Sequence, residues 1–186
     1  MPSIAHVRGT IAGAAILTLF GAMWYILALA LWPPHPAWSI PAGCAAAIAL
    51  LAFAVVRFTA LRGVPSVDDP VAAAQGKRDG IWFGIIFGIE GLSIGLCAGL
   101  LAHFGLADWI PIAAGIIVGL HFLPLARLFQ VPLYYWTGAL CVLGLLACSL
   151  IGNATIRVLS AGLIMAAVLW LTSLLVLLRT RPTSVN

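Results

Sequence analysis

The feature that most limits what this chain can fold into is the recurrence of apolar runs about 20 residues long, each close to bilayer thickness as a helix. Only short turns part them. With 63% hydrophobic and 8% charged residues and a mean hydropathy of +1.16, the 186 residues cannot cover a water-facing surface. Soluble domains carry about 25% charged residues. The reading is an all-α integral membrane protein, a bundle of six transmembrane helices in a single domain spanning 1–186.

Taken in order, the first run covers about 10–32. Ala28-Leu29-Ala30 has the small-residue form of a signal cleavage site, but signal h-regions are only about 7–15 residues long, so a retained helix is expected. A proline-rich turn, Trp32 to Ser39, carries no charged residue. Its two tryptophans suit the headgroup level, and Ser39 is expected to cap helix two, about 40–61. The stretch 63–79, GVPSVDDPVAAAQGKRD, is the only extended polar segment. It reads as a solvated linker with a turn or two of helix, N-capped at Asp69-Pro70 and stopped at Gly76. The remaining helices are expected over 80–104, 110–129, 133–151 and 155–178.

Lys and Arg set the orientation. With a cytoplasmic N-terminus, Arg8, Arg57, Arg62, Lys77, Arg78, Arg127, Arg179 and Arg181 all lie inside, and only Arg157 lies outside. The positive-inside rule therefore gives both termini on the cytoplasmic face of the inner membrane, with 63–79 as a cytoplasmic linker. Two halves of three helices would have inverted topology, a common transporter plan.

Helix three holds two patterns. Gly80, Gly84, Gly88, Gly91, Gly95 and Gly99 advance by threes and fours and stay within a stripe about 100° wide. Such a stripe lets another backbone come close, as does Gly115-x-x-x-Gly119 on helix four. Glu90, Ser93 and Cys97 cluster about 160° away from the stripe's centre. With neither face suited to lipid, helix three is expected at the centre of the bundle.

Glu90 is the one carboxylate inside an apolar run. Its burial is costly, which marks a functional or assembly site. It lies roughly 21 Å below Phe104, and His121 lies about 19–20 Å below Asp108 on the antiparallel neighbour. A Glu90–His121 pair, neutral or as carboxylate and imidazolium, lowers the cost of burial and can pass a proton. A protonated Glu90 bonded to a carbonyl or to Ser93 is the competing arrangement. The candidate binding residues are thus Glu90, His121 and Ser93.

The segment Gly119-Leu120-His121-Phe122-Leu123-Pro124-Leu125-Ala126 resembles a G-L-H-F-x-P-L-A stretch of small bacterial multi-spanning proteins of unknown function. The resemblance implies a six-helix membrane protein and supplies no activity. Pro124 within it would kink or loosen the end of helix four.

Other chemistry has little support. The four cysteines show no C-x-x-C spacing, and His35, His103 and Asp108 make at best a weak outer cluster, so no metal is expected. No nucleotide-binding, hydrolase, zincin or c-haem motif is present, and no cofactor or catalytic residue is assigned. The basic residues are scattered at segment ends, a topology signal and not a nucleic-acid stripe. Two functions remain: a small-solute or proton-linked transporter centred on Glu90 and His121, or a non-catalytic membrane scaffold or interaction protein. The partners implied are the bilayer, a small solute or proton, and a second copy of the chain as a homodimer.

Overall fold

The computed structural model describes residues 4–30, 32, 35–61 and 70–180, excluding the side chains of residues 4–6, 72 and 73. Pro33, Pro34, Arg62, Asp68, Asp69 and Arg181 lie outside the described residues, and with them the expected cap at Asp69. Six α-helices follow one another: α1 (Ile4–Ala30), α2 (Ser39–Thr59), α3 (Pro70–His103), α4 (Ile110–Leu128), α5 (Leu133–Ser149) and α6 (Ala154–Arg179). A 3₁₀ turn at Ala107–Trp109 precedes α4. There is no strand among the described residues. Five of the helices are long and apolar enough to cross a bilayer, and α5, at 17 residues, is shorter. The bundle is therefore that of a multi-pass membrane protein.

Three local expectations change. Residues 70–79 of the expected linker belong to helix three, because α3 begins at Pro70 and runs without a break to His103. Gly76 does not stop it. One glycine costs only about 1 kcal/mol in a helix, VAAAQ is helix-favouring, and the Gln75 amide donates to Asp79 Oδ1 at 2.8 Å, an i, i+4 link. Ser39 does not cap α2 either. It is the first residue of the helix, and its hydroxyl donates to the Pro36 carbonyl at 2.7 Å. Finally, α5 ends at Ser149, where the chain tightens as the Leu150 and Ile151 amides donate to the Ala147 and Cys148 carbonyls.

The central helix is α6, not α3. It packs against α1, α2, α4 and α5, and 50% of its most apolar stretch is buried, against 6% for α3. Hydroxyls join α6 to its neighbours: Thr18 and Ser173 meet at 2.8 Å, as do Thr137 and Thr172. The Trp170 indole donates to the Thr18 carbonyl at 3.0 Å. Polar groups that find partners across helices act as glue in a bilayer, where water is not there to compete.

The opposite holds for α3, which lies at the edge against α4 and the 3₁₀ turn. Gly105, at φ +71°, ends it. The Gly105 and Leu106 amides turn back to the Ala102 and Leu101 carbonyls, a Schellman closure. A Cβ placed on Gly80, Gly84, Gly88, Gly91, Gly95 or Gly99 would meet nothing within 4 Å. The face of α3 that turns inward carries Phe83, Phe87 and Glu90 instead.

Arg157 is a structural clamp. It is 5% exposed, pairs with Asp108, donates to the Ile151 carbonyl at 3.2 Å and lies 4.0 Å over the Trp109 ring. It thus ties the 3₁₀ turn to the start of α6.

Candidate functional site

Close backbone packing joins α1 to α6 and α3 to α4, but not α1 to α3. A crevice runs between α1 and α3 with α4 as its floor. Spacing puts its side chains there: Phe83, Phe87 and Glu90 are i, i+4 and i+7 on α3, while His121, Phe122, Leu125 and Phe129 follow a helical face of α4. Three adjoining cavities make up the crevice. The middle one, about 80 Å³, is lined by Phe20, Phe83, Phe87, Glu90, His121, Phe122, Phe129 and Tyr134, with apolar residues of α1, α4 and α6. A cavity of about 470 Å³ continues from it to Thr10, Gln75 and Asp79, where α1 and α3 begin. Another, of about 540 Å³, continues past Glu90 to Ala107, Ile110 and Pro111 at the opposite end.

Glu90 and His121 meet at the waist of this crevice. Glu90 Oε2 lies 3.1 Å from His121 Nδ1, with side-chain exposures of 10% and 9%. The distance is that of a bonded pair, but the alignment is not. Nδ1 makes no hydrogen bond to any described residue, so the nitrogen is close to the carboxylate without being fixed on it. The His121 ring is held edge-on by Phe87 and Phe122, at centroid distances of 6.4 and 5.9 Å.

Of the residues singled out in the sequence, Glu90 and His121 are brought together and Ser93 is not. The Ser93 hydroxyl donates to the Ile89 carbonyl at 2.7 Å, one turn back on its own helix. Gly115 and Gly119 are packed tightly, the latter against Val142 and Cys141 of α5. His35, His103 and Asp108 are engaged separately: His35 beside Ser39 Oγ at 3.2 Å, His103 against Phe104 and Asp108 on Arg157. No group of three or more metal-ligating side chains occurs among the described residues. The four cysteines are free thiols.

The aromatic wall is what the sequence reading missed. Phe83 stacks on Phe87 at 5.9 Å and packs on Phe129 at 5.8 Å. Phe20 reaches across from α1 to Phe87 at 6.4 Å, and Phe122 meets Tyr134 at 5.6 Å. The signal was the run of Phe, Phe and Glu at helical spacing on α3.

Comparison with known proteins gives one match. Residues 84–179, just over half of the chain, match a family of unknown function (DUF7010). The matched block begins within α3, ends with α6, and holds both Glu90 and His121. No curated protein and no solved structure matches the chain.

Proposed function

We propose that this chain, which belongs to the DUF7010 family, moves a small solute or protons across the membrane through the crevice between α1, α3 and α4. The observation that carries this reading is the place where Glu90 and His121 meet: the waist at which two larger cavities, opening toward opposite ends of the bundle, adjoin a small one. An acid–base pair at a constriction can hand over a proton or change its charge as a solute passes. α1 and α3 are joined mainly by side chains there, which leaves room for one to rock against the other. The distribution of Lys and Arg supports both termini on the cytoplasmic side of the inner membrane, so that the Asp79 cavity faces the cytoplasm. In that frame α5 completes a sixth crossing with the help of its flanking turns. An inverted two-half plan fits the α1–α6 and α3–α4 contacts, which it would exchange; α5–α6 packing lacks a counterpart between α2 and α3 among the described residues.

The test is flux through proteoliposomes under an imposed pH gradient, comparing the wild type with Glu90→Gln. Wild-type flux that falls to the level of empty liposomes in a folded Glu90→Gln variant is the expected result. No flux from either protein would remove the transport reading.

A second reading has its own observation. A Cβ on any of Gly80, Gly84, Gly88, Gly91, Gly95 and Gly99 would meet no atom of the described residues within 4 Å, and a small-residue stripe of that length suits another helix. A scaffold or interaction protein would use it as a docking face, and in a transporter it would serve a homodimer.

A further inference from the structure

We infer that the crevice takes a monovalent organic cation, a quaternary or protonated amine carrying an apolar or aromatic body. The inference deepens the transport reading and rests on it for movement, but not for binding.

Charge is the first observation. The chain carries a net charge of +4, yet the described residues lining the three cavities include two carboxylates, Glu90 and Asp79, and no Lys or Arg. Arg8, at the same end as Asp79, donates instead to the Leu61 carbonyl at 2.8 Å. Arg78 and Arg127 line a separate cavity on another side of α3 and α4. Anions therefore meet no Lys or Arg along the crevice, whereas a cation meets a carboxylate at its mouth and another at its waist.

Ring geometry is the second. Phe20, Phe83, Phe87, Phe122, Phe129 and Tyr134 line the same cavity as the carboxylate, and they come from α1, α3, the end of α4 and α5. Aromatic faces attract alkylammonium groups through their quadrupole, most strongly where water is excluded. Neutral polar solutes gain little there, because apart from the Tyr134 hydroxyl and the acid–base pair the middle cavity is apolar.

The third observation is the loosely held histidine. Nδ1 sits 3.1 Å from the carboxylate without an aligned hydrogen bond, so a cation can take its place beside Oε2 without breaking a well-formed contact. Titratable groups facing this spot are few. α1 and α6 contribute none to the middle cavity, α3 contributes Glu90, α4 His121 and α5 Tyr134, with Asp79 of α3 at the mouth. A proton held by the Glu90–His121 pair and a cation bound at Oε2 therefore compete for one negative charge. Cation binding releases that proton, and affinity rises with pH.

The probe is benzyltrimethylammonium, tritium-labelled, in equilibrium dialysis with the full chain in nanodiscs. Saturable binding is expected, with an affinity about tenfold or more weaker in Glu90→Gln and several-fold weaker in Phe83→Leu, which keeps the apolar volume but removes the ring. The neutral carbon isostere, neopentylbenzene, should not displace the probe. Displacement by the isostere at equal concentration, or binding unchanged in folded Glu90→Gln, would overturn the inference. Should Glu90→Gln not fold, the isostere competition and the pH dependence in the wild type still decide it. Proton flux without probe binding sinks the cation and leaves transport standing. Probe binding without flux does the reverse.

Discussion

Two sets of glycines in this bundle look alike in sequence and behave in opposite ways. On α4, α5 and α6 they are where helices touch. A Cβ on Gly119 would lie 2.8 Å from Val142, one on Gly138 would run into the Gly119 carbonyl, and one on Gly162 would stand 2.8 Å from Ala28 Cβ and 2.9 Å from the Trp24 carbonyl. On α3 the longer and more regular stripe touches nothing. The difference teaches that spacing alone tells only that a close approach is permitted. Whether it is used depends on where the other face of the helix must go, and on α3 that other face carries Glu90 and the phenylalanines.

The comparison is broken most directly by adding bulk. Gly162→Leu should have the largest effect, because its side chain would enter the α1 backbone, which cannot give way as a flexible side chain would. A loss of more than about 3 kcal/mol is expected, read as failure to accumulate monodisperse protein in detergent. Survival of this variant with wild-type thermal stability would mean that α1 and α6 do not cross as closely as described. Arg157→Ala should come next. Its partner Asp108 is partly exposed, at 38% for the side chain, so the cost is set mainly by the lost anchoring of the 3₁₀ turn through Ile151 and Trp109, about 1–3 kcal/mol. A melting curve that overlays the wild type would show that the clamp contributes nothing.

How much of this was legible beforehand follows the same division. The presence of six helices was readable, since apolar runs and turn residues are local properties. The depth match of Glu90 and His121 was readable too, because a short loop forces neighbouring helices to be antiparallel and rise per residue is fixed. Which helix is central was not. α3 has the most conspicuous small-residue pattern, while α6, the hub, advertises itself only by Thr172, Ser173 and Gly162 scattered in a run of Leu, Val and Ala. The extension of α3 back to Pro70 is not legible at Gly76, because a glycine stops a helix only where the backbone turns left-handed. The aromatic wall needed residues from α1, α3, α4 and α5, which no single stretch can reveal.

Glu90→Gln sharpens the comparison from the side of function. Gln keeps the shape and hydrogen-bonding capacity of the side chain, and His121 Nδ1 makes no aligned bond that its substitution would break, so stability should change by about 1 kcal/mol while flux is lost. A large loss of stability together with lost flux would place Glu90 in the framework instead.

The smallest expected effect on the single chain is also the most informative about α3. Gly91→Ala and Gly95→Ala add methyl groups that meet nothing within 4 Å. Alanine is the better helix former by up to about 1 kcal/mol, so the thermal stability of a monomer should stay level or rise slightly. The corresponding change at Gly138, Gly138→Ala, should lower it by about 1–3 kcal/mol. If the open stripe is a contact between two copies of the chain, the α3 variants must instead shift the monomer–dimer balance in nanodiscs or by cross-linking, since added methyls hold two backbones apart. Stability unchanged and association unchanged would leave the stripe facing lipid. Association weakened at constant monomer stability would identify α3 as the helix through which two copies meet.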